Sequence, residues 1–223
     1  MKRILFGLIL NLLAGAARAD APEYSYFRAG YMEETLHAVS FADIDCSGGA
    51  FDFSRALGDH WAVLAHHEEC EGDKPAFRFE YPNTLVLFDV EQELSLLGAL
   101  YHMSLGESTD LNASIEAGSW SYYLFPNDMY FTPIKNEEEN GYRLTIGVKS
   151  RFSEGFEGAL SWRGFHFLEA ESSITFDERI EDNINEAVVE GNYYFNEKIS
   201  MGLTFISNDF ANRFILSAGY VFE

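Results

Sequence analysis

The last strand-like segment of the chain, residues 213–222, alternates with a period of two. One set is apolar or small, namely Phe214, Leu216, Ala218, Tyr220 and Phe222, and the other set is Arg213, Ile215, Ser217, Gly219 and Val221. A period of two puts each set on one face of a β-strand. Such a strand with an aromatic residue at its foot is typical of the closing strand of a membrane-spanning barrel. Because hydrocarbon does not tolerate unpaired backbone N–H and C=O groups, the strand requires neighbours that close a cylinder.

The first 19 residues have the pattern of a secretory signal peptide. Lys2 and Arg3 precede an apolar run over residues 4–13, and a small-residue cleavage site follows at residues 17–19. We therefore predict a signal peptide at residues 1–19 and a single barrel domain over residues 20–223. The apolar run is too short for a transmembrane helix.

The chain is acidic, with a formal net charge of −21. This charge opposes binding to nucleic acid, whose phosphates require a basic face. The acidic residues cluster in five segments that we interpret as solvated loop tips: Glu33-Glu34, Asp43 to Asp45, Glu68 to Asp73, Glu137 to Glu139 and Asp177 to Asp182. The alternative is that these loops bind divalent cations near lipopolysaccharide phosphates.

Ten segments fit a template of about 9–11 alternating residues per strand. They are residues 24–33, 47–57, 61–69, 94–105, 110–123, 142–152, 156–167, 186–195, 199–207 and 211–222. Tight connections at 58–60, 106–109, 153–155 and 196–198 alternate with longer ones at 34–46, 70–93, 124–141 and 168–185, and with a short one at 208–210.

This asymmetry predicts an all-β, antiparallel transmembrane β-barrel of about ten strands, with short periplasmic turns and longer extracellular loops. Eight strands remain the alternative if one weak hairpin is misassigned. Residues 76–91 are left open between a barrel hairpin and an extracellular loop.

The two faces of the predicted strands differ in charge. Pairing residues 142–152 with 156–167 across their tight turn puts Arg151 opposite Glu157, on the face away from the apolar side chains. Since the outside of the barrel contacts lipid, the charged face lines the lumen, and the predicted polar network contains Arg28, Asp52, His66, Glu116, Arg143, Arg151, Glu157, Arg163, Glu190 and Arg213. A barrel of about eight strands is just filled by side chains, so ten strands leave little room for an open pore.

Aromatic residues near the strand ends predict two interfacial girdles. The periplasmic girdle contains Trp61, Phe152, Phe156, Phe195 and Phe222, and the outer girdle contains Tyr122, Tyr123, Phe125, Tyr130, Phe131 and Phe167.

The two cysteines, Cys46 and Cys70, flank a predicted hairpin whose turn lies at residues 58–59. Residues that face each other across this turn have numbers that sum to about 116–118, and the two cysteine numbers sum to 116. We therefore predict a disulfide between them at the outer end of the hairpin, as an oxidising envelope allows.

No catalytic constellation emerges from the sequence. The hairpin register puts His66 opposite Asp52, a pair that either orients an imidazole for base catalysis or forms one link of the polar network. Neither a G-x-S-x-G nor an H-E-x-x-H motif is present. We predict no catalytic residues, no metal site and no cofactor, and we expect that the protein is not an enzyme.

Several segments together resemble a known family. They are Tyr24-Ser25-Tyr26, Gly30-Tyr31, Asp45-Cys46-Ser47-Gly48, Leu57-Gly58-Asp59, Leu97-Gly98, Tyr101-His102, Ser108 to Leu111, Gly141 to Arg151 and the terminal strand. The chain resembles small, porin-like outer-membrane β-barrel proteins of proteobacteria. The resemblance implies a Gram-negative outer-membrane location and insertion by the barrel-assembly machinery, and it supplies no catalytic residues. The chain departs from the pattern in that Glu223 follows the aromatic Phe222.

The functional expectation is a monomeric, non-enzymatic envelope protein that supports the membrane or binds ligands through acidic extracellular loops. Its expected partners are outer-membrane lipids, lipopolysaccharide and the barrel-assembly machinery. Two alternatives remain: a narrow pore for ions or small solutes, and a barrel-embedded enzyme that modifies lipid or peptide.

Overall fold

The chain folds into a closed barrel of ten antiparallel strands. A computed structural model describes residues 22–36, 44–78, 85–126, 134–168, 183–208 and 211–222. The strands are β1 (Tyr26–Leu36), β2 (Ile44–Ala56), β3 (Trp61–Arg78), β4 (Leu85–Ser104), β5 (Thr109–Pro126), β6 (Ile134–Ser153), β7 (Phe156–Phe167), β8 (Asn183–Tyr194), β9 (Ile199–Ser207) and β10 (Ala211–Val221). Each strand pairs with its sequence neighbours. None of the described residues belongs to a helix long and apolar enough to cross a membrane.

The first and last strands close the sheet. β1 pairs with β10 along its whole length, from Tyr26 opposite Val221 to Leu36 opposite Ala211. This pairing removes both sheet edges, as a lipid-exposed sheet requires. The predicted transmembrane β-barrel fold is confirmed with ten strands, and the alternative of eight strands is wrong.

Short turns occupy one end of the barrel, and their residues explain where the strands stop. Gly58 has φ of 83°, in the left-handed region that glycine adopts without steric penalty. In the turn between β8 and β9, the Asn196 side-chain oxygen accepts hydrogen bonds from the backbone N–H groups of Lys198 and Ile199, each at 2.9 Å. Such a local bond replaces the next ladder bond and reverses the chain. The first strand begins and the last strand ends at this same end, where Tyr26 is opposite Val221.

The long connections at the other end were predicted with the wrong extent. β3, β4, β5 and β6 contain 18, 20, 18 and 20 residues, so most of the predicted loops at 70–93 and 124–141 is strand. Residues 76–78 and 85–91 accordingly extend β3 and β4, and residues 79–84 lie outside the described part of the chain. The polar composition that suggested loops is compatible with strands beyond the membrane, because both faces of the sheet can be solvated there.

The outer face of the barrel carries a belt of exposed apolar side chains. On β10, Phe214, Leu216 and Tyr220 are exposed, whereas the intervening Arg213, Ile215 and Val221 are buried. All nine remaining strands also contribute side chains to the belt, for example Leu97 on β4 at 69% exposure and Ile146 on β6 at 57%. A continuous apolar surface of this size is foreign to a water-soluble monomer, and it matches the lipid-facing band of a transmembrane barrel.

The structure agrees with three members of the predicted periplasmic girdle and contradicts one member of the predicted outer girdle. Trp61, Phe156 and Phe195 are exposed next to the short turns, as expected for the periplasmic girdle. The outer-girdle assignment of Phe167 is wrong, because pairing with Gly141 turns its side chain into the lumen, where it is 4% exposed. The side chains of the other five outer-girdle residues lie outside the described residues.

The apolar belt generates a test of membrane insertion. Leu216→Arg puts a charge near the middle of the belt, and we expect it to lower the free energy of unfolding in lipid vesicles by about 2–4 kcal/mol. Glu154→Arg, in the exposed β6–β7 turn, serves as the control and should change it by less than about 0.5 kcal/mol. Urea titration followed by tryptophan fluorescence measures both. Equal effects of the two changes would contradict a lipid-facing position for Leu216.

Candidate functional site: a filled lumen and an acidic outer rim

The ten residues predicted for the lumen all lie on inward-facing strand positions. They come from eight of the ten strands, and their side chains meet one another or further lumen residues in the ion pairs and hydrogen bonds described below. Of the Lys and Arg residues whose side chains the structure describes, six face the lumen: Arg28, Arg143, Lys149, Arg151, Arg163 and Arg213.

Arg213 on β10 joins two carboxylates that approach it from other strands. Its Nη2 lies 3.0 Å from Glu34 Oε1 on β1, and its Nη1 lies 2.5 Å from Glu68 Oε2 on β3. The side chains of all three residues are at most 8% exposed. The assignment of Glu34 and Glu68 to acidic loop tips is therefore wrong. Strand parity distinguishes them from their outward-facing neighbours Glu33 and Glu69, and clustering of charge does not.

His66 on β3 lies between two carboxylates. Its Nδ1 is 2.5 Å from Asp52 Oδ1, and its Nε2 is 2.8 Å from Glu68 Oε1, an ion-pair contact whose angles fall outside hydrogen-bond geometry. A ring engaged in this way has no free nitrogen for accepting a proton from a substrate. The geometry supports a role for His66 as a link between lumen carboxylates rather than as a catalytic base.

The middle of the lumen contains two further sets of ion pairs. Glu190 accepts two guanidinium groups, that of Arg28 at 3.7 Å and that of Arg163 at 3.4 Å. Arg143 Nε donates a hydrogen bond of 2.7 Å to Glu116 Oε2 on the neighbouring strand. The Asp52 side chain retains 39% exposure although it points inward. The mid-lumen therefore holds solvent-accessible space beside its ion pairs.

Apolar side chains pack inside the barrel above this ionic layer. One cluster contains Leu94, Leu96, Phe165 and Phe167 with Trp120 and Ile184 against it, and a second contains Met32, Cys46, Ala50, Cys70, Val188, Ile206 and Ile215. Gly141 makes room for the first cluster, because a Cβ there would lie 2.6 Å from the Phe165 ring. Neither cluster was predicted from the sequence, because alternation was interpreted as placing the apolar side chains on the lipid-facing side of the strands.

At the periplasmic end, the predicted partners Arg151 and Glu157 face each other in the register but bond elsewhere. Glu157 Oε1 is 3.0 Å from Lys149 Nζ and accepts a hydrogen bond of 3.1 Å from the Tyr194 hydroxyl. The Arg151 guanidinium lies 3.5 Å from Glu23 Oε1, which belongs to the segment before β1. The first strand was predicted to begin at residue 24, whereas β1 begins at Tyr26.

Cys46 and Cys70 are joined in a disulfide with a Cα–Cα distance of 5.6 Å. The bridge runs diagonally, because Cys70 is opposite Gly48 in the register rather than opposite Cys46. A Cβ on Gly48 would approach Cys70 Cα to 2.7 Å, and one on Gly72 would approach Cys46 Cβ to 2.9 Å, so each cysteine requires glycine across from it. Among the described residues, Glu34 and the two sulfurs form a group at metal-ligand spacing. Disulfide sulfur lacks the thiolate charge that metal ligation uses.

The outer face of β3 and β4 carries opposed carboxylates immediately above the apolar belt. Glu69 is directly opposite Glu93, and Glu71 is directly opposite Glu91, and all four are exposed. An open groove of about 910 Å³ crosses the upper ends of β1 to β4, and its lining includes Glu33, Asp45, Glu71 and Glu91. In the part of the chain that the structure describes, none of these carboxylates pairs with a Lys or Arg. The His67 ring lies 3.9 Å from Glu69 and 4.0 Å from Glu93, and acidic side chains outnumber basic ones among the described residues of this rim.

The barrel is similar in fold to solved bacterial β-barrels. The translocator domain of the autotransporter NalP from Neisseria meningitidis aligns with a TM-score of 0.52 at 8% identity, over 99% of this chain and 96% of that chain. The β domain of the Bordetella autotransporter BrkA gives 0.50 at 10% identity, over 90% and 100%. The outer membrane protein OprG from Pseudomonas aeruginosa gives 0.48 at 12% identity, over 92% and 100%.

No protein-family model and no curated protein sequence matches the chain. The structural similarities, at identities this low, establish the fold and no activity. They confirm the resemblance to outer-membrane β-barrel proteins at the level of architecture.

The Arg213 cluster generates a stability prediction. Arg213→Met leaves Glu34 and Glu68 as buried carboxylates without their cation, and we expect a loss of about 3–5 kcal/mol in the free energy of unfolding. Adding Glu34→Gln and Glu68→Gln should recover most of this loss, because the uncompensated charges are removed. Lys198→Met, in an exposed turn, is the control. Urea unfolding in detergent measures all variants, and a loss below about 1 kcal/mol for Arg213→Met would contradict a stabilising role of Arg213 between Glu34 and Glu68.

Proposed function

We propose that the protein is a non-enzymatic barrel of the Gram-negative outer membrane that binds cationic ligands at its acidic outer rim. The observation that carries this proposal is the direct opposition of Glu69 with Glu93 and of Glu71 with Glu91 on one exposed face. Like charges placed directly opposite each other across two strands destabilise the sheet. A bound cation removes this repulsion, so the same residues that weaken the free protein strengthen the complex.

The position of the carboxylates favours a ligand at the membrane surface. Along β3 the outward residues Trp61, Val63 and Ala65 belong to the apolar belt, and Glu69 follows within four residues of its end. At about 3.3 Å per residue, this interval puts the rim at the level of the lipid headgroups. Lipopolysaccharide phosphates and protein carboxylates are both anionic, and divalent cations with their preference for oxygen ligands can bridge the two.

The remaining partners follow from the same placement. The apolar belt contacts outer-membrane lipid, and the barrel-assembly machinery inserts the chain. We expect a monomer, because the β1–β10 closure leaves no sheet edge within the belt for pairing with another copy.

The two alternative functions have less support. A narrow pore would have to pass the buried ion pairs of the lumen and also the segment before β1, in which the Glu23 N–H donates a hydrogen bond to the lumen residue Glu157. A barrel-embedded enzyme would need a base and a nucleophile, and the most suitable base, His66, faces carboxylates with both nitrogens.

Calcium dependence of stability tests the rim. A site of millimolar affinity, filled at about ten times its dissociation constant, adds about 1.4 kcal/mol to the free energy of unfolding. We expect Ca²⁺ or Mg²⁺ to raise the thermal midpoint of the wild-type barrel in detergent. A variant with Glu69, Glu71, Glu91 and Glu93 all changed to Gln should be more stable than the wild type without cation and insensitive to added cation.

The control carries Gln at Glu107, Glu154 and Glu197, three exposed carboxylates in the turns at the opposite end. This variant should keep the wild-type response to Ca²⁺. If the four-residue rim variant retains the full cation response, or if the wild type has none, the rim is not the binding surface.

A further inference from the structure

The segment just before β1, residues 22–25, lies inside the periplasmic mouth of the lumen. Pro22 and Tyr24 are buried, Tyr24 with 6% exposure, although both precede the first strand. A segment outside the sheet, near the start of the domain, is ordinarily exposed unless specific contacts hold it. The contacts of this segment therefore identify what the mouth of the barrel binds.

A lumen ion pair holds the backbone of Glu23 at both of its polar groups. The Glu23 N–H donates to Glu157 Oε2 at 3.1 Å, and the Glu23 carbonyl oxygen accepts a hydrogen bond from Lys149 Nζ. Lys149 and Glu157 are themselves 3.0 Å apart. One buried cation and one buried anion thus match the backbone donor and acceptor of a single residue, and hydrogen bonds to charged groups are the stronger kind.

The side chains of the segment find separate partners. The Glu23 carboxylate is 3.5 Å from the Arg151 guanidinium. The Tyr24 ring stacks on His102 with centroids 3.9 Å apart and planes 15° apart, and Lys149 Nζ lies 4.7 Å from the centre of the same ring. The Tyr24 carbonyl accepts a hydrogen bond of 2.7 Å from the Ser54 hydroxyl. The mouth therefore has one subsite for an acidic side chain and one for an aromatic side chain.

Side chains at the periplasmic mouth of the lumen are less exposed than a side chain deeper inside it. Asp110, Glu157 and Ser200, each the second residue of a strand that starts at the periplasmic end, are at most 3% exposed. Asp52, deeper in the lumen, keeps a side-chain exposure of 39%. An open tube would show the opposite order, with the greatest exposure at the mouth.

We propose that the periplasmic mouth of the lumen is a binding site for an extended peptide with an acidic residue followed by an aromatic residue. The chain's own segment Pro22–Ser25 occupies this site and separates the mid-lumen from the periplasm. This site is independent of the acidic outer rim, since it lies at the opposite end of the barrel and uses lumen residues only.

A cysteine introduced at the mouth tests whether residues 22–25 block access to the lumen from the periplasmic end. Ser200→Cys adds a buried thiol of nearly the same size, and both natural cysteines are held in the disulfide. In the full chain folded in detergent, we expect this thiol to react slowly with a water-soluble maleimide. Adding Glu23→Ala and Tyr24→Ala should raise the reaction rate by about tenfold or more, because a tenfold change requires only a modest loss of contact energy.

Two controls complete the experiment. Glu197→Cys in the exposed β8–β9 turn should react quickly in both backgrounds. Tyr31→Ala with Glu33→Ala removes the same residue types from the outward face of β1, and it should leave the Ser200→Cys reaction slow. Heat-modifiable gel migration verifies that each variant is folded. Fast labelling of Ser200→Cys with the native segment present, or slow labelling after the segment is altered, would overturn the proposal.

Discussion

The requirement that every backbone N–H and C=O group in hydrocarbon find a partner determines this structure. The register between Tyr26–Leu36 and Ala211–Val221 satisfies it, because it pairs the first strand with the last and leaves no edge in the membrane. Closure has a second consequence, since it creates an inside that belongs neither to lipid nor to bulk water. The inward side chains of ten strands must fill that space without help from a second layer of structure.

Charged side chains fill part of this space beside the two apolar clusters, and the cost of burying charge explains how they are arranged. A buried carboxylate or guanidinium is tolerated only with a partner. Some partners are on neighbouring strands, as with Arg143 and Glu116, and others are three strands away around the barrel. Arg213 reaches from β10 to Glu68 on β3, and Arg28 reaches from β1 to Glu190 on β8. These two contacts connect strands that are not hydrogen-bonded neighbours in the sheet. They also confine the orientation of each strand, since a one-residue register shift would send the charged groups into lipid.

The sequence predicted the strands and their faces well, because alternation is a local property. It placed the turn at Gly58, the inward parity of Arg28 and Arg143, and the lipid-facing side of the last strand. It did not predict the length of β3 to β6, because polar strands above the membrane have the same composition as loops. Glu68 and Glu69 illustrate the difficulty: they are adjacent in the sequence, yet one is buried in the lumen and the other is exposed on the rim.

Features that depend on contacts across the barrel could not be derived from alternation at all. Tyr24 precedes the first strand and has no periodic neighbours, so its place against His102 follows only from the closed cylinder. The diagonal disulfide likewise depends on two glycines whose purpose is visible only when the strands are paired. Both features are consequences of filling a fixed volume with side chains from all directions.

The distribution of charge links the interior of the barrel to its outer surface. The lumen concentrates cations, and these neutralise the carboxylates that face inward. The chain as a whole has 36 acidic residues against 15 Lys and Arg. Among the Lys and Arg residues whose side chains the structure describes, six face the lumen, and none pairs with a rim carboxylate. Under the proposed function, these carboxylates would attract cations from solution over about one Debye length, which is about 8 Å at physiological salt.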